Sequence, residues 1–92
     1  MNIEKITYAL KNNLRRNILI LLSKRPMTST EISIALGEKA PKYRQSVNRS
    51  LEILRECQLV KKEYNEEKKA LYYSLKYTKI IINLKDMEIN YE

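Results

Sequence analysis

The spacing of apolar residues changes along this chain, and each change marks a different element. Over the first 26 residues the rhythm is helical. Ile3, Ile6, Ala9 and Leu10 recur at three and four residues, as do Leu14, Ile18, Leu21 and Leu22, which puts each set on one face of a helix. Asn12 and Asn13 stand between the two sets and predict an interruption. Lys24 and Arg25 follow the second set, where cations complement the negative end of a helix dipole, and Pro26 stops it. The second helix is expected to back the core. Arg15 and Arg16 near its start either reach a phosphate or stay solvated.

From Met27 the punctuation predicts a helix pair. Thr28 lies three residues before Glu31, the spacing of a capping box, and Met27 and Ile32 are placed for a hydrophobic staple. Ile32, Ala35 and Leu36 form the expected apolar stripe. Gly37, the one glycine of the chain, ends the segment because it tolerates a left-handed backbone. A second helix is predicted from about Pro41, which suits a first helical position. Its apolar face runs Tyr43, Val47, Leu51 and Leu54, with Ser50 and Cys57 alongside.

The rhythm then shortens to alternation. Leu59 to Tyr64 and Ala70 to Leu75 are rich in Val, Leu and Tyr and flank Asn65-Glu66-Glu67-Lys68-Lys69, which predicts a strand, loop, strand hairpin. Val60, Tyr64, Leu71, Tyr73 and Leu75 should face inward. In the last stretch two periods compete. Tyr77, Ile80, Ile81 and Leu84 keep helical spacing, whereas Ile80-Ile81-Ile82 is a β-branched run suited to a strand. Either form leaves apolar surface, which is expected to pack on a second copy or on the chain's own core.

Charge sharpens this picture. The net charge is +7. Residues 1–62 carry 13 Lys/Arg and 5 Asp/Glu, a balance of +8, while residues 63–92 carry 5 and 6, a balance of −1. The positive field therefore belongs to the helical part, the expected arrangement for a face turned to nucleic acid. The polar side of the second helix of the pair carries Lys42, Arg44, Gln45, Asn48 and Arg49. From Lys39 to Arg49 there are four basic residues and no acidic one. Arg pairs bidentately with guanine, Asn and Gln with adenine, and Lys and Arg neutralise phosphates. Lys68 and Lys69 at the hairpin tip are further phosphate candidates, opposed by Glu66 and Glu67 beside them.

Other chemistries find little footing. The chain has no histidine for acid–base work and no Ser-His or Cys-His pair, and it lacks a Gly-rich phosphate loop. No enzymatic activity and no cofactor are expected. One cysteine allows no intrachain disulfide, which suits a reducing compartment, and cytoplasmic location is expected in the absence of a signal peptide or membrane-spanning run. The seven tyrosines are scattered across helix, hairpin and tail rather than gathered into a stacking platform.

From Leu14 to Leu75 the chain resembles the winged helix-turn-helix transcription regulators of the ArsR/MarR-like kind, the ArsR-like ones especially. The residues that carry the likeness are LRRNILILLSKRPMTSTEISIALG, SVNRSLEILRECQLVKK and ALYYSL. The resemblance implies a mainly α fold with a small β-hairpin wing, and a homodimer that binds a pseudo-palindromic operator in double-stranded DNA, as a repressor. It places Ser46, Asn48 and Arg49 on the base-facing part of the recognition helix, with Gln45 next to them. The connector from Gly37 to Ser46 is longer than the family pattern. Gln58 replaces the glycine that usually precedes the first wing strand, which implies a different cap. Metal-sensing members need clusters of soft ligands, and with no His and one Cys this chain is expected to bind no metal. Cys57 is read as a small buried residue, with a redox role as the alternative.

One domain is expected, divided into N-terminal helices (1–26), the helix-turn-helix (27–58), the wing (59–75) and a dimerisation or packing segment (76–92). The competing reading is a winged-helix module that binds protein, in a transcription or toxin–antitoxin complex; fold alone does not choose between them.

Overall fold

The computed structural model describes residues 3–39, 42 and 44–92. Among them, helices α1 (Ile3–Leu10), α2 (Asn13–Leu22), α3 (Ser29–Leu36) and α4 (Arg44–Glu56) precede two antiparallel hairpins. The first pairs β1 (Val60–Asn65) with β2 (Ala70–Leu75), and the second pairs β3 (Ile80–Asn83) with β4 (Glu88–Tyr91). The expectations for Pro41 and Tyr43 lie outside the described residues. Among those described, no helix is long and apolar enough to cross a membrane.

The break between α1 and α2 is a mutual cap. Asn12 takes an extended backbone and its Oδ1 accepts the Arg15 N–H at 3.0 Å, which starts α2. The arginines then close the end of α1. Arg15 donates from Nε to the Ala9 carbonyl (2.8 Å) and from Nη2 to the Tyr8 carbonyl (2.6 Å), Arg16 donates to the Leu10 carbonyl (2.6 Å), and the Lys11 N–H reaches the Thr7 carbonyl (3.0 Å). All four terminal carbonyls of α1 are thereby satisfied. Arg15 is only 5% exposed. Its charge is held by the negative end of the α1 dipole rather than by a carboxylate. Simple solvation therefore does not describe it. Periodicity does not register a long side chain that folds back on the preceding helix.

The α3 start is as the spacing predicts. Thr28 Oγ1 accepts the Glu31 N–H and Glu31 Oε1 accepts the Thr28 N–H, completing the capping box. Ile32 and Leu36 are buried, but Ala35 is exposed and Ile34 is 74% exposed. The inward stripe of this two-turn helix is thus narrower than expected. Gly37 ends it at φ +55° and leads into a short 3-10 turn, Gly37–Lys39. Arg25 lies beyond the end of α2 and turns to Glu31 (3.4 Å) instead of to the α2 carbonyls.

Val47, Leu51 and Leu54 seat α4 against the core. The helix ends in a Schellman turn, with the Leu59 N–H on the Leu54 carbonyl and the Gln58 N–H on the Arg55 carbonyl, both 3.0 Å. Gln58 occupies the left-handed position at φ +65°. The cap is therefore the ordinary glycine-type cap carried by a strained glutamine, and not a different one.

The wing register sets Val60 opposite Leu75, Lys62 opposite Tyr73 and Tyr64 opposite Leu71. All six share the inward face, but burial fades along it. Val60 and Tyr73 are buried, whereas Tyr64 and Leu71 are 58% and 46% exposed because the hairpin outruns the helices that cover its base. Met27 adds a one-residue bridge to Tyr73, with hydrogen bonds of 3.0 and 2.7 Å, tying the α2–α3 connector to the sheet. In the tail the strand period prevails over the helical one. Ile80 packs on the core, but Ile81, Ile82, Leu84 and Met87 remain exposed on the second hairpin.

Candidate nucleic-acid interface

Because Val47, Ser50, Leu51 and Leu54 are buried, the opposite side of α4 must face out. Arg44, Gln45, Asn48 and Arg49 are exposed and Ser46 is half-buried. Among the described residues, none of these five side chains has a hydrogen bond or ion pair. Lys42 is also exposed, just ahead of the helix. The C-terminal half of α4 is different. There Glu52 is held by Arg55 (3.1 Å) and by Lys62 of β1 (3.6 Å), so that its charge is spent within the fold. One end of the helix thus presents unengaged donors and acceptors with no acid among them, and the other end closes on itself.

Four of the expected site residues line two grooves, while Lys42, Arg44, Asn48 and Lys69 line neither. Gln45, Ser46 and Arg49 line a groove of about 540 Å³ together with Asn12, Leu14 and Arg15 from the start of α2. Lys68 lines a second groove of about 540 Å³ on the outer side of the wing, with Arg25, Lys61, Tyr64 and Tyr72. In that groove Arg25 pairs with Glu31, and Lys61 pairs with Glu63 at 3.2 Å. Lys68 has no carboxylate partner among the described residues, and its ammonium sits 5.8 Å from the Tyr72 ring centre. The wing tip is a tight turn in which Asn65 Oδ1 accepts the Lys68 N–H at 2.9 Å and Lys69 takes a left-handed φ of +52°. Lys68, Lys69, Glu66 and Glu67 are all exposed there, so the tip carries no net charge. Sequence reasoning missed Asn12, Leu14, Arg25 and Lys61 as neighbours of the site. They are remote in sequence, and only the packing of α2 and of the wing brings them close.

Two groups have perturbed protonation. The Thr28 N–H bond holds the Glu31 carboxyl below the ordinary carboxylate range, and Arg25 adds to the effect. Burial pushes the Cys57 thiol up, which favours its protonated form. Among the described residues, no group of three or more His, Cys, Asp or Glu side chains is placed to hold a metal ion.

No family model and no curated protein matches the chain. Its fold does match a solved structure, an ArsR-like transcriptional regulator from Rhodococcus sp. RHA1, with a TM-score of 0.63 and 22% sequence identity over 78% of this chain. The chain spans 62% of the length of that regulator. At that identity the likeness establishes the fold alone: a mainly helical winged helix-turn-helix, as in that regulator, in which α3 and α4 are the helix pair and β1–β2 the wing.

Proposed function

We propose that this chain is a sequence-specific transcription regulator that binds double-stranded DNA as a homodimer and acts as a repressor. The observation that carries the reading is the outer face of α4. Arg44, Gln45, Asn48 and Arg49 stand exposed without partners among the described residues, on the helix that a winged helix-turn-helix inserts in the major groove. A helix that docks on protein has no need of such an acid-free stretch. In this reading Gln45, Asn48 and Arg49 meet base edges with Ser46 beside them, and Lys42 and Arg44 hold the backbone. Lys68 and Lys69 reach the flanking backbone from the wing. Two recognition helices about 34 Å apart would enter successive major grooves of an inverted repeat.

What supports a dimer is the second hairpin. Two strands of four residues each are marginal alone, and Ile81 and Ile82 on β3 and Leu84 and Met87 in the turn after it are exposed. Residues 76–92 carry three cations and three anions, so a second copy suits this surface better than nucleic acid does. Light scattering should find a dimer for the full chain and a monomer for a Leu84→Ser, Met87→Ser variant. Monomers in both cases would refute the dimer.

The test of the main reading is selection from a random pool of duplex DNA at two salt concentrations. Recovery of an inverted repeat, with affinity falling steeply as salt rises, is the expected result. Salt-sensitive retention with no motif would refute sequence specificity. No retention would put the protein-binding module in first place.

A further inference from the structure

The second hairpin has an open edge, and its hydrogen bonds say which groups stand on it. Lys79 and Glu92 exchange both backbone bonds, the Lys79 N–H reaching the Glu92 carbonyl at 3.1 Å and the Glu92 N–H reaching the Lys79 carbonyl at 2.9 Å. An antiparallel ladder alternates such bonded pairs with unbonded ones. In the register of β3 and β4 the next bonded pairs are therefore Ile81 with Asn90 and Asn83 with Glu88. The N–H and carbonyl groups of Ile80 and Ile82 point the other way, off the outer edge of β3. Among the described residues no further strand lies against that edge.

Open edges invite pairing, and proteins blunt them with charge or with cover. The wing uses both devices. Lys61, Lys62 and Glu63 charge its β1 strand, and Met27 covers β2 at Tyr73. Strand β3 reads Ile80-Ile81-Ile82-Asn83 and uses neither. Ile81 and Ile82 are 42% and 37% exposed on it. The outer edge of β4 offers the groups of Ile89 and Tyr91, but a self-pairing that bonds both would set Glu88 opposite Glu92. Like charges placed directly opposite are destabilising.

We infer that two copies join edge to edge through β3, making one antiparallel sheet in the order β4-β3-β3-β4 across a twofold axis. The inference rests on the homodimer reading and names its interface. Ile80 lies opposite the partner's Ile82, so every outward group of these two residues bonds across the axis. Ile81 lies opposite the partner's Ile81 as an unbonded pair. Lys79 falls opposite the partner's Asn83, and no like charges meet. Ile80 and Ile82 share a face with Ile89 and Tyr91, so the pairing makes that apolar face continuous from one copy to the other. Leu84, just past β3, comes toward the partner's Thr78, a residue that lines an apolar groove of about 380 Å³ with Leu19, Ile20 and Ile80. A twofold pairing of this kind closes, whereas β3 laid on the β4 edge of the next copy would run on as a filament.

Proline separates the edge from the ladder. The Ile82 N–H makes no bond within the hairpin, so Ile82→Pro deletes one edge donor from each copy and no β3–β4 bond. Ile82→Val keeps the donor and controls for the side chain. Sedimentation of the full chain should find the dimer weakened about 30-fold by Ile82→Pro, the scale of two hydrogen bonds. Ile82→Val should weaken it less than about 5-fold. Circular dichroism verifies that each variant is folded.

A second measurement reads the register. The Cα atoms of an unbonded pair lie about 4.5 Å apart, within disulfide reach. Ile81→Cys should therefore bridge the two copies under mild oxidation, with mass spectrometry distinguishing that link from the buried Cys57. Asn83 lies about 13 Å from its counterpart in this register, and Asn83→Cys should not bridge. If the wild-type chain is a dimer but Ile81→Cys forms no bridge, or Ile82→Pro dimerises as tightly as wild type, the edge pairing is wrong and the dimer stands. Filaments in place of dimers would overturn the twofold closure. A wild-type chain that stays monomeric would refute the homodimer reading and this inference with it.

Discussion

Arg15→Ala separates a structural role from a DNA-contacting one. The bond from Nε to the Ala9 carbonyl is buried, so truncation leaves a buried acceptor without a donor, at a cost of about 1–3 kcal/mol. The bond to the Tyr8 carbonyl is only partly buried. Water can replace the donor there, and its share is nearer ~1 kcal/mol. Arg15 is 5% exposed, and losing its packed aliphatic stem adds about 1 kcal/mol. The total is about 3–5 kcal/mol, a large part of the roughly 5–15 kcal/mol that holds a domain folded. In a domain of this size that is a fall in Tm of about 12–40 °C. Arg15→Met keeps the stem and should lose about 1 kcal/mol less. Arg15→Lys keeps a cation at the end of the α1 dipole but cannot span two carbonyls, and should fall between wild type and Arg15→Met. Urea denaturation followed by circular dichroism measures all three. If Arg15→Ala unfolds with the wild-type midpoint, the capping argument is wrong. If its stability is unchanged and its duplex affinity is lower, Arg15 is a phosphate contact after all.

Other expectations follow from single residues. Gln58→Gly should relieve the left-handed strain at the end of α4 and raise stability by about 0.5–1 kcal/mol, net of the extra entropy of an unfolded glycine; an unchanged or lower denaturation midpoint would contradict it. Arg49→Ala should cost roughly 1–3 kcal/mol on the selected duplex and flatten base preference, whereas Lys68→Ala should weaken all sequences alike. Equal loss on every sequence for Arg49→Ala would exclude base reading. Glu31 has a depressed carboxyl, so its contribution to stability is present above the ordinary carboxylate range and is lost as pH falls through its lowered value. Glu31→Gln should therefore shrink the acid-side fall in Tm, and an identical acid profile would rule the linkage out. Cys57 is buried with a raised thiol pKa, so a disulfide reagent at neutral pH should label it only as fast as the chain opens. Rapid labelling of the folded chain would revive the redox reading.

Local chemistry was legible wherever one element contains all the atoms that matter. The capping box at Thr28 and Glu31 is such a case, because both partners lie within one turn. The glycine stop at Gly37, the α4 face of Val47, Leu51 and Leu54, and the strands on either side of Asn65 to Lys69 are others. The same holds for the exposed side of α4: once the apolar positions face in, geometry leaves Arg44, Gln45, Asn48 and Arg49 outside. These features follow from helical and strand periods and survive any arrangement of the elements.

Tertiary structure decided what depends on a second element. Arg15 became a cap because α2 folds back beside the end of α1, and no period records that distance of reach. Gln58 accepts a left-handed backbone because the Leu54 to Leu59 turn leads β1 into the core, and that turn outweighs the cost of a side chain there. Tyr64 and Leu71 obey the predicted alternation yet stay in water, since the helices end before the wing does. Ile80 to Ile82 suited two periods equally, and pairing with Glu88 to Tyr91 selected the strand by satisfying backbone groups that a short isolated helix would leave open. The groove that joins Asn12 and Leu14 to Gln45 and Arg49 spans more than thirty residues of chain. It exists only because buried apolar faces press α2 and α4 together, a non-directional force that the order of residues specifies only through the whole fold.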